Sequence, residues 1–241
     1  MPDLSGLRPL TARSAVLSTL LGTHPPRLPA RSLVRVGELF GVAEGTIRVA
    51  LSRMVAAGDL VQDNGHYALT SRHSQRQARQ DQSRTPAVRP WSGEWEIAVV
   101  TADRRPPAER TAFRQTMAEL RLAELREGTW LRPANLSREL DVDCVVLMGR
   151  PERDPAALAA TLWDLDAWAS RARLLHRALD EAEELKENFI LAAAVLRHFV
   201  ADPLLPPELL PRDWPGAALR ARYEDFDTTF QSVLRAQLGV E

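Results

Sequence analysis

The chain has 241 residues, 45% hydrophobic and 26% charged, with a formal net charge of −1. This is an ordinary globular composition, long enough for two or three small domains, and it excludes a molecule that is a polycation or polyanion as a whole. The balance hides an asymmetry, because residues 1–90 hold 12 arginines against 6 acidic residues while residues 91–241 hold 19 basic against 26 acidic. A basic first third on an acidic remainder points to an anionic partner for the first third alone, unless the clustering is chance.

Lys186 is the only lysine, so nearly all the cationic donors are planar guanidinium groups, which suit phosphate and guanine. The single cysteine, Cys144, precludes an intramolecular disulfide; within DCVVLMG it reads as a structural thiol in a buried strand. No secretory signal is visible, and the most apolar run, FILAAAVL (189–196), is too short to cross a bilayer. The expectation is a cytoplasmic protein with no membrane partner.

In chain order, TARSAVLSTLLG (11–22) has helical spacing, and Pro25, Pro26 and Pro29 then break the chain. Ser32 is placed to cap a short helix, LVRVGELF, that stops at Gly41. A third helix covers VAEGTIRVALSRMVAAG, with Gly58 as its stop. At ~100° per residue its Ile47, Ala50, Leu51, Met54 and Gly58 share one arc, which predicts burial. Asn64-Gly65 between Leu60–Val61 and Tyr67–Leu69 is a two-residue hairpin signal. Three helices and a hairpin make a winged helix-turn-helix, whose third helix enters the DNA major groove.

The other face of that third helix carries Gly45, Thr46, Arg48, Val49, Ser52, Arg53 and Ala56. Small residues admit a nucleic-acid backbone, and the hydroxyls and arginines donate to phosphates and base edges. Glu44 is the acidic exception, placed to complement the helix dipole or to accept from a cytosine amino group. A plain amphipathic helix with solvated arginines is the blander reading of the same pattern. The expected DNA contacts are Arg48 and Arg53 with Thr46 and Ser52 as hydroxyl partners, Gly45 for close approach, Arg35 on the preceding helix, and Asn64 and His66 at the wing tip. Arg72, Arg76 and Arg79 either extend the basic face or are solvated.

The expected domains are a winged helix over 1–72, a linker or solvated helix over 73–90, an α+β module over 91–160 and a helical domain over 161–241, an α+β multidomain chain. In the module, EWEIAVVTA, TWLRP and DCVVLMG read as strands, Ala108–Leu125 as a helix and Asp154–Trp163 as another. That order suggests a ferredoxin-like module, although its closing strand is not visible. Two long helices follow over 162–185 and 186–203, then a proline-rich loop, DPLLPPELLPRDWPG, and a final helix.

Four stretches together resemble the PaaX family of bacterial transcriptional repressors: SLVRVGELFGVAEGTIRVALSRMVAAGDL with its wing, WSGEWEIAVV, REGTWLRPANL and DPLLPPELLPRDWPG. The resemblance runs from about residue 13 to 235. It implies a winged-helix DNA reader, a middle module with the ferredoxin-like fold of a CRISPR-associated nuclease, and a helical C-terminal domain. It also implies a homodimer on a roughly palindromic double-stranded DNA operator, released by an acyl-CoA. The short wing, Asp63-Asn64-Gly65-His66, has little basic character for a groove contact.

For a CoA thioester the chemistry asks for arginines near phosphates and an apolar slot. Arg126, Trp130 and Arg132 lie close in REGTWLRP, with Trp163 and Trp168 on the next helices; Trp130 and Arg132 alternate with Leu131 and so share a strand face. The competing reading makes the tryptophans core and the arginines surface. His176 and His198 read as packed or exposed helix residues, and no Cys/His cluster has zinc spacing. No phosphate-cradling glycine loop or nucleophile elbow occurs, so no enzyme activity, catalytic residue, metal or cofactor is expected. One enzymatic alternative concerns Asp103, after the first strand of the middle module, where related nucleases carry a metal-binding aspartate. A turn aspartate is the simpler reading. A third alternative is an adaptor that does not bind DNA.

Overall fold

The computed structural model describes residues 9–101, 106–138 and 140–238. The chain forms two compact units, one of residues 1–84, 171–199 and 215–241, the other of 85–170 and 200–214. The first unit therefore takes in the expected winged helix, the expected linker as far as Arg84, and most of the expected C-terminal domain.

The first unit opens with α1 (Ala12–Leu21), started by a capping box in which Thr11 and Ser14 exchange side-chain and backbone hydrogen bonds. β1 (Arg27–Pro29), α2 (Ala30–Leu39) and α3 (Glu44–Ala56) follow. Ser32, expected as the cap of α2, lies inside that helix and is buried; the N-cap position falls to Pro29. Both α2 and α3 end through a glycine in the left-handed region, Gly41 at φ 71° and Gly58 at φ 71°. In each, the amide one residue beyond the glycine reaches back into the last turn, Val42 N to Gly37 O and Asp59 N to Met54 O, both at 2.9 Å.

β2 (Leu60–Asp63) and β3 (His66–Leu69) form the expected hairpin. Asn64 (φ 47°) and Gly65 (φ 74°) make the turn with both central residues at positive φ. The sequence reading missed β1, which pairs antiparallel with β3 to give a sheet of order β1-β3-β2.

Ile47, Leu51 and Met54 of α3 are fully buried against Val16, Leu20 and Leu33. Each contributes about 2 kcal/mol by leaving water. The fit depends on Gly37, because a Cβ there would sit 2.5 Å from Ile47 Cγ1 and 2.7 Å from its Cδ1. α2 and α3 pack across a position that admits only hydrogen.

α4 (Ser71–Arg84) is a docked helix, and the stretch 73–84 is not a solvated linker. Its buried stripe is polar: His73, Gln77, Gln80 and Ser83. Gln77 Nε2 donates to Leu21 O at 2.9 Å and Thr23 O at 3.0 Å, satisfying carbonyls at the end of α1. His73 Nε2 lies 2.9 Å from Asp59 Oδ1, and Arg13 Nη2 donates to Asp59 Oδ2 at 2.8 Å. These two partners, His73 foremost, hold the Asp59 carboxyl below the usual aspartate range. α4 is thus held by hydrogen bonds where most helices use an apolar stripe.

The second unit is built on β4 (Trp95–Val99), α5 (Pro107–Glu119), β5 (Ala123–Arg126), β6 (Thr129–Pro133), β7 (Val145–Gly149) and α6 (Pro155–Leu162). The sheet order is β5-β6-β4-β7, antiparallel throughout. The helix expected over 108–125 ends at Glu119, and its last residues form the unexpected strand β5. Arg121 at φ 63° breaks the helical path between them. One sheet face packs Trp95 and Leu131 with Leu158, Leu205 and Leu209; the other packs Ala98 and Trp130 with Met117 and Leu122. The remaining helices are α7 (Leu165–Glu181), α8 (Leu185–Val200) and α9 (Gly216–Leu238).

Gly37→Ala should splay α2 from α3 and cost about 2 kcal/mol of stability through overpacking. Urea unfolding measures the loss, and an unchanged midpoint would show that Ile47 yields without strain.

Candidate nucleic-acid interface

Burying Ile47, Leu51 and Met54 leaves the opposite face of α3 bare. Glu44, Gly45, Thr46, Arg48, Val49, Ser52, Arg53 and Ala56 are all exposed. Val49 is 51% exposed, an apolar side chain of the size that meets a thymine methyl group. A Cβ at Gly45 would meet nothing within 4 Å, so the helix is open to close approach there. Arg48 is held along the helix by Glu44, Nε to Oε1 at 2.7 Å. An exposed i,i+4 pair of this kind adds little stability, so Arg48 can change partner at small cost. The structure therefore brings Gly45, Thr46, Arg48, Ser52 and Arg53 onto one surface.

At the hairpin tip Asn64 is exposed and His66 half-buried, its Nδ1 3.1 Å from Asn64 O. Arg27 of β1 donates to Asp63 at 2.9 Å, which offsets the one acidic side chain of the tip. Arg35 is engaged elsewhere, with its Nη1 donating to Gln237 O at 2.9 Å near the end of α9.

The effector candidates are not brought together. Arg126 is exposed on β5. Trp130 is buried, edge-on to Phe113 at 6.3 Å, on one face of the sheet. Trp163 packs with the cluster on the other face, beside an open cavity of about 350 Å³ lined also by Asp164 and Asp166. Those carboxylates oppose a CoA phosphate. Trp168 stacks on Trp214 at 4.5 Å as core. His176 lies 3.1 Å from Asp180 on α7. Cys144 is half-buried against the Trp130 cluster.

The chain matches three family models: PaaX-like protein over residues 11–73, PaaX protein central Cas2-like domain over 88–143, and PaaX-like protein C-terminal domain over 159–237. The chain belongs to the PaaX family. Among solved structures, the uncharacterized protein Rv0674 from Mycobacterium tuberculosis is 44% identical, with a TM-score of 0.82 over 95% of this chain and 99% of that one. No curated protein matches. PaaX membership points to a transcriptional regulator.

Two of the PaaX-like stretches meet through Arg132, whose side chain is fully buried. Its Nε donates to Pro133 O at 2.9 Å and its Nη2 to Asn135 Oδ1 at 2.7 Å and Leu204 O at 3.4 Å. Asn135 Nδ2 donates to the same Leu204 O at 2.9 Å. Arg121 donates to Val200 O and Asp202 O. Arg132 thus ties REGTWLRPAN to DPLLPP and is not available to a phosphate at the surface, which corrects its expected role in this PaaX chain. Burial, then the nearby Arg138 and Arg121 charges, push its pKa down to about 9. It remains a cation at neutral pH, neutralised by carbonyl dipoles and by Glu96.

Among the described residues no group of three or more His, Cys, Asp or Glu side chains is placed to hold a metal ion. Asp103 lies outside the described residues. No helix among them is long and apolar enough to cross a membrane.

Arg132→Leu should lower stability by about 3 kcal/mol, because it strips the buried Pro133 O and Asn135 Oδ1 of the guanidinium that donates to them. Thermal unfolding reads the loss, and an unaltered Tm would show that the loop is held without the guanidinium.

Proposed function

We propose that the segment from α1 to β3, Ala12 to Leu69, forms a winged helix-turn-helix, and that the chain is a DNA-binding repressor that leaves its operator when an acyl-CoA binds. The observation that carries this reading is the exposed face of α3. It is small, hydroxylated and cationic, and it is backed by α2 across a four-residue turn. Thr46, Arg48, Ser52 and Arg53 reach base edges and phosphates of the major groove, while Asn64 and His66 meet the adjacent backbone. The acyl-CoA rests on the family resemblance.

In the second unit the split strand–helix–strand arrangement, with β6 inserted between the parallel β4 and β5, supports a ferredoxin-like module. A homodimer is supported by β7. That strand is the sheet edge, and Val145, Leu147 and Met148 are 49%, 52% and 51% exposed. The sequence reading of a buried strand is corrected here: its composition is that of a core strand, but nothing among the described residues covers it. Antiparallel pairing of two β7 strands about a two-fold axis would satisfy the open edge.

Arg53→Ala should weaken operator binding by about 1–3 kcal/mol with folding retained, read by fluorescence anisotropy on DNA from upstream of the protein's own gene. Unchanged affinity would remove Arg53 from the interface, and absence of any DNA binding by the parent would favour the adaptor reading. Leu147→Arg should convert a dimer to a monomer in analytical ultracentrifugation. A variant that sediments as the parent does would place the dimer contact elsewhere.

A further inference from the structure

The open face of α3 divides its chemistry by angle. At ~100° per residue Val49 projects roughly 165° from the mean direction of the buried Ile47, Leu51 and Met54, so it stands near the middle of that face. Arg48 lies ~100° to one side of it and Arg53, one turn further along, ~40° to the other. Glu44 holds the Arg48 guanidinium along its own side, at 2.7 Å.

The surface neighbours of Val49, three and four residues away, are Gly45, Thr46, Ser52 and Arg53. Gly45 carries no side chain, and Ser52 turns its hydroxyl back to donate to Arg48 O at 3.2 Å. Neither neighbour therefore stands in front of the valine. Among the described residues of α3, Val49 is the one large apolar side chain left exposed. The packing of the unit does not call for an isopropyl group there. A valine at this place is a poorer helix former than alanine and leaves apolar surface in water.

One group on the base edges of the major groove is apolar, the C5-methyl of thymine. An isopropyl group set against the polar edges of the other bases strips water from donors and acceptors and pairs none of them. Set against the methyl, it buries apolar surface on both sides.

We propose that Val49 is a specificity-determining residue, which selects thymine through its methyl group at the base pair under the middle of α3. Arg48 and Arg53 hold the DNA backbone on either side of that contact. This rests on the proposed DNA-binding role of α3 and adds to it the identity of one recognised base.

The test titrates the full chain, by fluorescence anisotropy, against a duplex from upstream of its own gene that footprinting has narrowed to the protected site. The same duplex is then made with each thymine in turn replaced by uracil, which keeps every hydrogen-bonding group and lacks only the methyl. At one thymine of a half-site the replacement should weaken binding about fourfold, the worth of one buried methyl. Val49→Ala should lose about the same factor on the thymine duplex and bind the thymine and uracil duplexes equally, its fold verified by circular dichroism. Arg53→Ala should weaken both duplexes alike and keep the ratio between them. Specific binding by the parent with no thymine sensitive to uracil would overturn the assignment and leave the DNA-binding reading standing. A uracil effect that persists in Val49→Ala would set the methyl against another residue and overturn it likewise. No preference for the upstream duplex over a scrambled one would remove the DNA-reading role of α3, and this inference with it.

Discussion

Helices α2 and α3 cross where only a hydrogen atom fits. Gly37 admits Ile47, and with Ile47 seated the rest of α3 is positioned by default: Leu51 and Met54 fall into the same core. Their opposites on the helix, Thr46, Arg48, Ser52 and Arg53, have nowhere to go but solvent. The candidate DNA surface follows from packing on the other side of the same helix. Its chemistry lies in its side chains, while its placement belongs to the crossing at Gly37 and the turn at Gly41.

Much of this unit was legible in the sequence because the signals were local and stereochemical. Asn64-Gly65 can adopt the positive φ values that a two-residue turn needs, and the structure uses both. The arc of Ile47, Leu51 and Met54 is simple helical periodicity. What stayed hidden depended on distant partners. β1 is three residues long and ends in a proline, so nothing marks it except β3 beside it. α4 has almost no apolar residue in its buried stripe, so its docking through Gln77, His73 and Arg84 has no hydrophobic pattern to betray it.

The second unit shows the opposite failure. VVLMG has the composition of a core strand, and the sheet places it at an edge with its apolar side chains in solvent. LRPAN holds an arginine that belongs on a surface by type, and the fold buries it completely. Composition reports what a residue prefers and not which neighbours it will find. The four effector candidates are not gathered for a related reason: Trp130 and Trp163 pack on opposite faces of one sheet, which no local pattern marks.

The central claim is that the exposed face of α3 reads a DNA sequence. The most direct measurement compares the affinity of the full chain for DNA from upstream of its own gene with that for a scrambled duplex of equal length, at physiological salt. The account predicts a preference of about a thousandfold or more, weakening steeply as salt rises. Equal affinity for both duplexes, or none for either, would contradict it.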